Sequence, residues 1–182
     1  MDELEKKGVK AGKLPLQKGA EGSIIKPSTV FYKRSDGEID RDPLRKVMGS
    51  IKDSHPEEME RIIKEAEALG VEIRWKSKDL AYGAGIRKGK KGQLHLNDKA
   101  SYGAWLHEER HMLDDFNDGW AGFRVLEDIP KSCKREFDAY AIEIELAFKL
   151  GETGIAKELR QLCDNAIRDL GGDIDDFTRN NN

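Results

Sequence analysis

The chain has 182 residues, 37% of them charged, and a net charge of −3. That length suits one domain with a real core, or a domain plus an arm, and so balanced a charge gives no reason to expect nucleic acid or an acidic membrane as partner. Mean hydropathy is −0.72, no apolar run could span a bilayer, and residues 1–20 lack the apolar segment of a signal peptide, so no membrane partner is expected and no location is assigned.

Residues 1–27 are rich in Lys and Gly, with Gly8, Gly12, Gly19 and Gly22 breaking any pattern. Such a stretch cannot bury enough apolar surface to offset its ordering entropy. It is expected to be a flexible arm or linker, joining something larger to a folded domain over residues 28–172. Thr29 to Lys33 suits a short strand, and Asp36-Gly37 a turn. Asp42-Pro43 opens a short helical stretch, Leu44 to Ile51. Ser54-His55-Pro56-Glu57-Glu58 starts a longer helix, with Ser54 as cap and Pro56 in the first turn. Met59, Ile62, Ile63, Ala66 and Leu69 form its apolar stripe, and Gly70 stops it. His55 reads as a surface residue at a helix start.

Strands follow. Val71 to Trp75 alternates with period two. Leu80 to Ile86 is a weaker strand, softened by Gly83 and Gly85. Arg87 to Gly92 is a basic hairpin tip, read as a solvated turn. Gln93 to Asn97 is a third strand, on which His95 reads as a half-exposed residue rather than a ligand. This order sets a small sheet beside the next helix, with one edge free to pair with an extended peptide. Asn97 and Asp98 offer caps for that helix.

The helix carries His107-Glu108-Glu109-Arg110-His111, an H-E-x-x-H pattern. Positions i and i+4 share one helical face, so His107 and His111 can send two imidazole nitrogens to one metal ion. Glu108 stands where a carboxylate reaches a water on that metal. Leu106, Met112 and Leu113 flank the pair with apolar residues. Charged and titratable groups in a buried helix are costly unless paired or metal-bound. The alternative is an amphipathic surface helix whose histidines are accidental.

Asp114 to Lys131 reads as a long irregular segment, and its aromatics Phe116, Trp120 and Phe123 as a wall of a substrate cleft. Ser132 starts a helix that runs to about Leu150 and is apolar almost all round. Within it Glu136, Tyr140 and Glu143 share a face at i, i+4 and i+7. A carboxylate on a buried helix wants a partner, and a metal would be one. A last helix runs from about Thr153 to Leu170, and residues 173–182 are expected to be a disordered tail. Cys133 and Cys163 are too few for a disulfide scaffold and are expected to stay unbridged.

A strand hairpin, an H-E-x-x-H helix, a connection, and a helix beginning Glu136-Phe137-Asp138-Ala139-Tyr140 together resemble the small gluzincin-type zinc metallopeptidases. The closest likeness is to the metallopeptidase toxin domains of bacterial polymorphic toxins, and the ImmA/IrrE-like regulatory proteases are also similar. The resemblance covers roughly residues 57–170. It implies an α+β, zincin-like fold, with a sheet of three or four strands beside the motif helix and C-terminal helices packing the core. It implies Zn2+ as cofactor, held by His107, His111 and Glu136, with Glu108 as the base and Tyr140 as a candidate donor to developing negative charge. It implies a protein or peptide as substrate and, for a toxin acting in a target-cell cytoplasm, a cognate immunity protein. Among the other carboxylates, Asp138 lies about 200° round the helix from Glu136, and Glu143 about 10 Å further along it. A non-catalytic zincin relic and a metal-free helical binding module are the readings from other classes.

Overall fold

The computed structural model describes residues 40–178. Eleven elements fill that span. The first three are helices, α1 (Arg45–Met48), α2 (Ile51–Ser54) and α3 (Pro56–Leu69). The strands are β1 (Glu72–Trp75), β2 (Ala81–Gly83) and β3 (Gln93–Leu96). They precede α4 (Tyr102–Asn117), α5 (Ile129–Lys149), α6 (Thr153–Asp169) and α7 (Asp175–Thr178), and a 3-10 helix (Gly122–Glu127) joins α4 to α5. The fold is α+β, helix-dominated, with one small mixed sheet.

The sheet has the order β1-β3-β2. β1 runs parallel to β3, in register at Ile73 with Leu94 and Trp75 with Leu96. β2 runs antiparallel to β3, with Ala81 opposite His95 and Tyr82 opposite Leu94. β3 is thus the inner strand, and its alternation of half-buried Gln93 and His95 with buried Leu94 and Leu96 gives the sheet its core face. A fourth strand at Thr29 to Lys33 falls outside the described residues, as do the arm of residues 1–27 and residues 179–182.

Local chemistry explains where the helices begin and end. Gly70, at φ 71°, closes α3 with its N–H on the Ala66 and Glu67 carbonyls. The expected single helix over Leu44 to Ile51 is instead two, because Gly49 sits at φ 72° and breaks it. Ser50 then caps α2 by accepting from the Asp53 N–H. Ser54 ends α2 and caps nothing; His55 holds the N-cap position of α3 and stacks on Tyr102 with ring centroids 4.4 Å apart. The motif helix starts later than expected. Asn97 takes the Lys99 N–H in a turn of its own, and Ser101 caps α4 through the Ala104 N–H. α5 starts three residues before Ser132, since Asp128 caps it through Lys131 N–H and Pro130 fits the first turn.

The core falls into a smaller cluster around Cys133, Cys163 and Ile167 and two larger ones. One packs Ile62 and Ala66 of α3, Leu94 and Leu96 of β3, and Trp105 and Met112 of α4. Trp105 is 1% exposed, and its indole N–H donates to the Asn97 carbonyl at 2.9 Å. The other packs Leu44 against Ile144 and Ala147 of α5 and Ile155, Ala156 and Leu159 of α6. Gly103 in the first turn of α4 is what lets Leu44 approach, since a Cβ there would meet its Cδ1. Past α6 the chain is ordered for a further turn: Phe177 of α7 stacks on Phe137 of α5. Residues 175–178, which fall within the expected tail, form α7. Cys133 and Cys163 are buried and free. Among the described residues no helix is long and apolar enough to cross a membrane.

Candidate metal centre and its cavity

α4 and α5 pack against each other and bring the three expected ligands together. His107 and His111 are one turn apart on α4, and their Nε2 atoms face each other at 3.1 Å. Glu136 of α5 lies across from them, 3.3 Å from His111 Nε2 and 3.8 Å from His107 Nε2. One nitrogen of each histidine and one oxygen of Glu136 lie within 4.8 Å of one another. This group could hold a metal ion. Asp138 and Glu145 do not join it. Asp138 pairs with Arg110 at 3.1 Å and with Lys134 at 2.7 Å, and Glu145 pairs with Lys149 at 2.8 Å.

Glu143 plays a part that the helical spacing alone did not reveal. It is 2% exposed, and its Oε1 lies 2.7 Å from His107 Nδ1. A carboxylate there accepts the Nδ1–H and leaves Nε2, with its lone pair, turned to the metal position. Tyr140, one turn before it, stands edge-on to the His107 ring at 4.6 Å. The signal in the sequence was the i+7 carboxylate on an otherwise apolar stretch, but its target depends on the register of α4 against α5.

Glu108 is placed by the sheet. Its Oε2 accepts the Tyr82 backbone N–H at 2.6 Å, so edge strand β2 sits against α4 at this carboxylate. β2 is held there from its other side chain as well. The Tyr82 hydroxyl donates to Asp115 Oδ2 at 2.8 Å, and Asp115 Oδ1 accepts the Gly122 N–H at 3.2 Å. Asp115 is wholly buried, so this one side chain ties β2 to the turn beyond α4.

Burial sets the acid–base character of the group. It pushes the Glu108 carboxyl up to about 7, although the His107 charge and the Tyr82 N–H pull the other way. Burial also opposes a charge on His107, but the hydrogen bond and charge of Glu143, with the charges of Glu108 and Glu136, outweigh it and raise that imidazole to about 9. His111 goes down to about 3, through burial and the nearby charges of His107, Arg135 and Arg110. Glu136 is raised by burial, against the pull of His107. Tyr140 is raised by burial and by Glu143 and Glu136. Buried, strongly shifted groups facing a cleft are a mark of functional sites.

The cleft is a cavity of about 1000 Å³. It is lined by His107 and Glu108 of α4, Tyr140 and Glu143 of α5, Ala81 of β2, His95 of β3, and Asp40, Arg41, Asp42 and Arg45. Its lining includes no residue between Asp114 and Lys131, so the aromatics expected to wall it lie elsewhere. Phe116 and Phe123 are exposed, at 43% and 51%, and Trp120 packs edge-on to Phe116. The segment itself is short of irregular chain, since α4 runs on to Asn117 and the 3-10 helix follows. His95 lines the cavity without joining the ligand group. Comparison with protein-family models, curated proteins and solved structures gives no match for this chain.

Proposed function

We propose that this chain is a zinc-dependent endopeptidase of the zincin type, acting on a protein or peptide substrate, and that its biological role is that of a bacterial toxin domain. The observation that carries the reading is the convergence of His107, His111 and Glu136 on one point, with Glu108 beside them in the cavity. Zinc takes four ligands tetrahedrally at about 2.0–2.1 Å from imidazole nitrogen, so neighbouring ligand atoms should stand about 3.3 Å apart. The two imidazole nitrogens, 3.1 Å apart, suit that spacing, and Glu136 reaches both, with Oε1 3.3 Å from His111 Nε2 and Oε2 3.8 Å from His107 Nε2. Three protein ligands leave a fourth position for water, as in catalytic rather than structural sites. Glu143 supports the fit, because outer carboxylates on metal-binding histidines are the usual arrangement.

When bound there, zinc supplies a Lewis acid for the scissile carbonyl and a water of lowered pKa. The chain's own residues do the rest. Glu108 Oε2 is fixed by the Tyr82 N–H, so Oε1 is the oxygen free to take a proton from the attacking water. A carboxyl near 7 is well matched to taking that proton and giving it to the leaving amine. Tyr140 lines the same cavity with its hydroxyl kept protonated, and it is suited to donate to negative charge on the carbonyl oxygen. Ala81 on edge strand β2 lines the cavity and suits an extended peptide laid along it.

The test is metal content together with hydrolysis. Purified protein should carry about one zinc per chain, His111→Ala should carry none, and a denatured protein substrate should be cut by the wild type but not by Glu108→Gln. Equal, near-zero metal in wild type and His111→Ala would overturn the zinc reading. Metal without hydrolysis would leave a zincin-like site that does no chemistry.

A further inference from the structure

Glu108 and Asp115 lie on one face of α4, seven positions and so about two turns apart. One residue of the sheet joins them. The Tyr82 backbone N–H donates to Glu108 Oε2 at 2.6 Å, and the Tyr82 hydroxyl donates to Asp115 Oδ2 at 2.8 Å. Burial and the neighbouring Asp115 keep that hydroxyl protonated, as a donor must be. Among the described residues, the Tyr82 N–H is the only hydrogen-bond donor that reaches the Glu108 carboxyl. The direction of that carboxyl therefore depends on where β2 stands.

β2 has little with which to fix its own place. It is an edge strand of three residues that ends on Gly83, with Gly85 soon after. Short edges of this kind open locally at small cost. Asp115 supplies the hold by two routes. One is the Tyr82 hydroxyl. The other runs through the turn after α4, where Asp115 Oδ1 accepts the Gly122 N–H at 3.2 Å and the Asp115 carbonyl accepts the Trp120 N–H at 2.7 Å. That turn holds the chain leaving β2. The Phe123 N–H donates to the Gly85 carbonyl at 3.1 Å, and the Gly89 N–H to the Trp120 carbonyl at 2.8 Å. Gly122 permits the approach, since a Cβ there would meet the Gly85 carbonyl oxygen. An apolar residue in place of Asp115 would keep the main-chain bond to Trp120. What only its side chain supplies is the tie to Tyr82 and Gly122, and a wholly buried carboxyl is costly to keep for less.

We propose that Asp115 is a positioning residue for the base: through Tyr82 it holds β2 so that the Tyr82 N–H keeps Glu108 Oε2 and leaves Oε1 turned to the attacking water. The inference rests on the reading of Glu108 as that base. Asp115 itself neither lines the cavity nor belongs to the grouped ligands.

Two variants separate this role from a purely structural one. Tyr82→Phe removes the hydroxyl, and Asp115→Asn keeps the size but removes an acceptor oxygen. Each is assayed with zinc bound, on a denatured protein substrate, at a temperature where a thermal melt shows it folded. For both, kcat should fall by about 10–100-fold, as displacement of a catalytic group implies, while KM and zinc stoichiometry stay as in the wild type. An unchanged kcat overturns the proposal, and so does a fall in kcat that accompanies loss of zinc. Amide hydrogen exchange, followed by NMR on the protein as purified, reads the same link without turnover. The Tyr82 N–H should exchange about tenfold or more faster in both variants, while amides of α6 keep their protection. Equal Tyr82 exchange in wild type and variants overturns the link. Tyr82→Phe decides the matter if Asp115→Asn does not fold. If the wild type hydrolyses no substrate, the peptidase reading falls, and the exchange rates still decide whether Asp115 fixes the Tyr82–Glu108 bond.

Discussion

Glu143 of α5 grips His107 of α4 at its Nδ1, 2.7 Å away, from a position two turns beyond the expected ligand Glu136. The metal-facing nitrogen is thus aimed by a carboxylate that is not itself one of the three grouped ligands. Outer partners of this kind typically contribute about 10–100-fold in metal affinity. Glu143→Gln should therefore lower zinc affinity by about that factor while leaving the stoichiometry at saturation unchanged. Competition against a chromophoric chelator measures it. Unchanged affinity would mean that packing alone orients His107.

The histidine spacing and Glu136 were legible because a helix has a fixed period. Once α4 and α5 are helices, the face that each ligand occupies follows from its number. The first strand was legible from its period-two alternation. What could not be read was whatever two elements decide jointly. The Glu143–His107 pair depends on how far α5 is shifted along α4. Asp42 is brought to the start of α4 by accepting the Ser101 N–H, a bond between distant parts of the chain. The boundaries slipped where a rival local bond won, as at Asn97, whose side chain serves Lys99 and passes the cap to Ser101. The segment after α4 was read as loose because of its glycines. Those glycines, with Trp120 at φ 59°, instead serve a tight turn that Asp115 fastens through its own carbonyl and carboxylate.

Zinc uptake should release protons. In the metal-free fold the Glu143 pair holds His107 protonated up to about 9, against an ordinary value of 6.5. A metal ligand must be neutral, so below that point zinc has to displace the proton. Affinity should rise with pH and level off near 9. The sign for the metal-free fold follows from the same shift. The folded value lies above the unfolded one, so the pair's stabilisation is present in full below about 6.5 and is lost as pH climbs through about 9. Calorimetry in buffers of different ionisation enthalpy should report about one proton released at neutral pH. No release would mean that His107 is already neutral.

Tyr82→Phe should loosen the sheet from the site. It removes the hydroxyl that donates to Asp115 and leaves a wholly buried carboxylate oxygen short of its partner. Such a loss costs about 1–3 kcal/mol. The backbone N–H that Glu108 accepts is retained, so zinc affinity should hardly change. A denaturant melt with unchanged midpoint would show that water replaces the hydroxyl.

The last prediction concerns the biological role. A toxin domain of the kind proposed must act through Glu108. Glu108→Gln keeps the side-chain size and an oxygen for the Tyr82 N–H, but it removes the base. Glu108 is not among the grouped ligands His107, His111 and Glu136, so metal should stay bound. Loss of a general base typically lowers rate by about 10²–10⁴-fold. Wild-type protein expressed inside bacterial cells should therefore arrest growth, and Glu108→Gln expressed to the same level should not. Equal toxicity of the two would separate the harm from proteolysis and overturn the mechanism. If neither is toxic while the purified wild type cuts protein substrate in vitro, the peptidase stands and the proposed role shifts from toxin to regulatory protease.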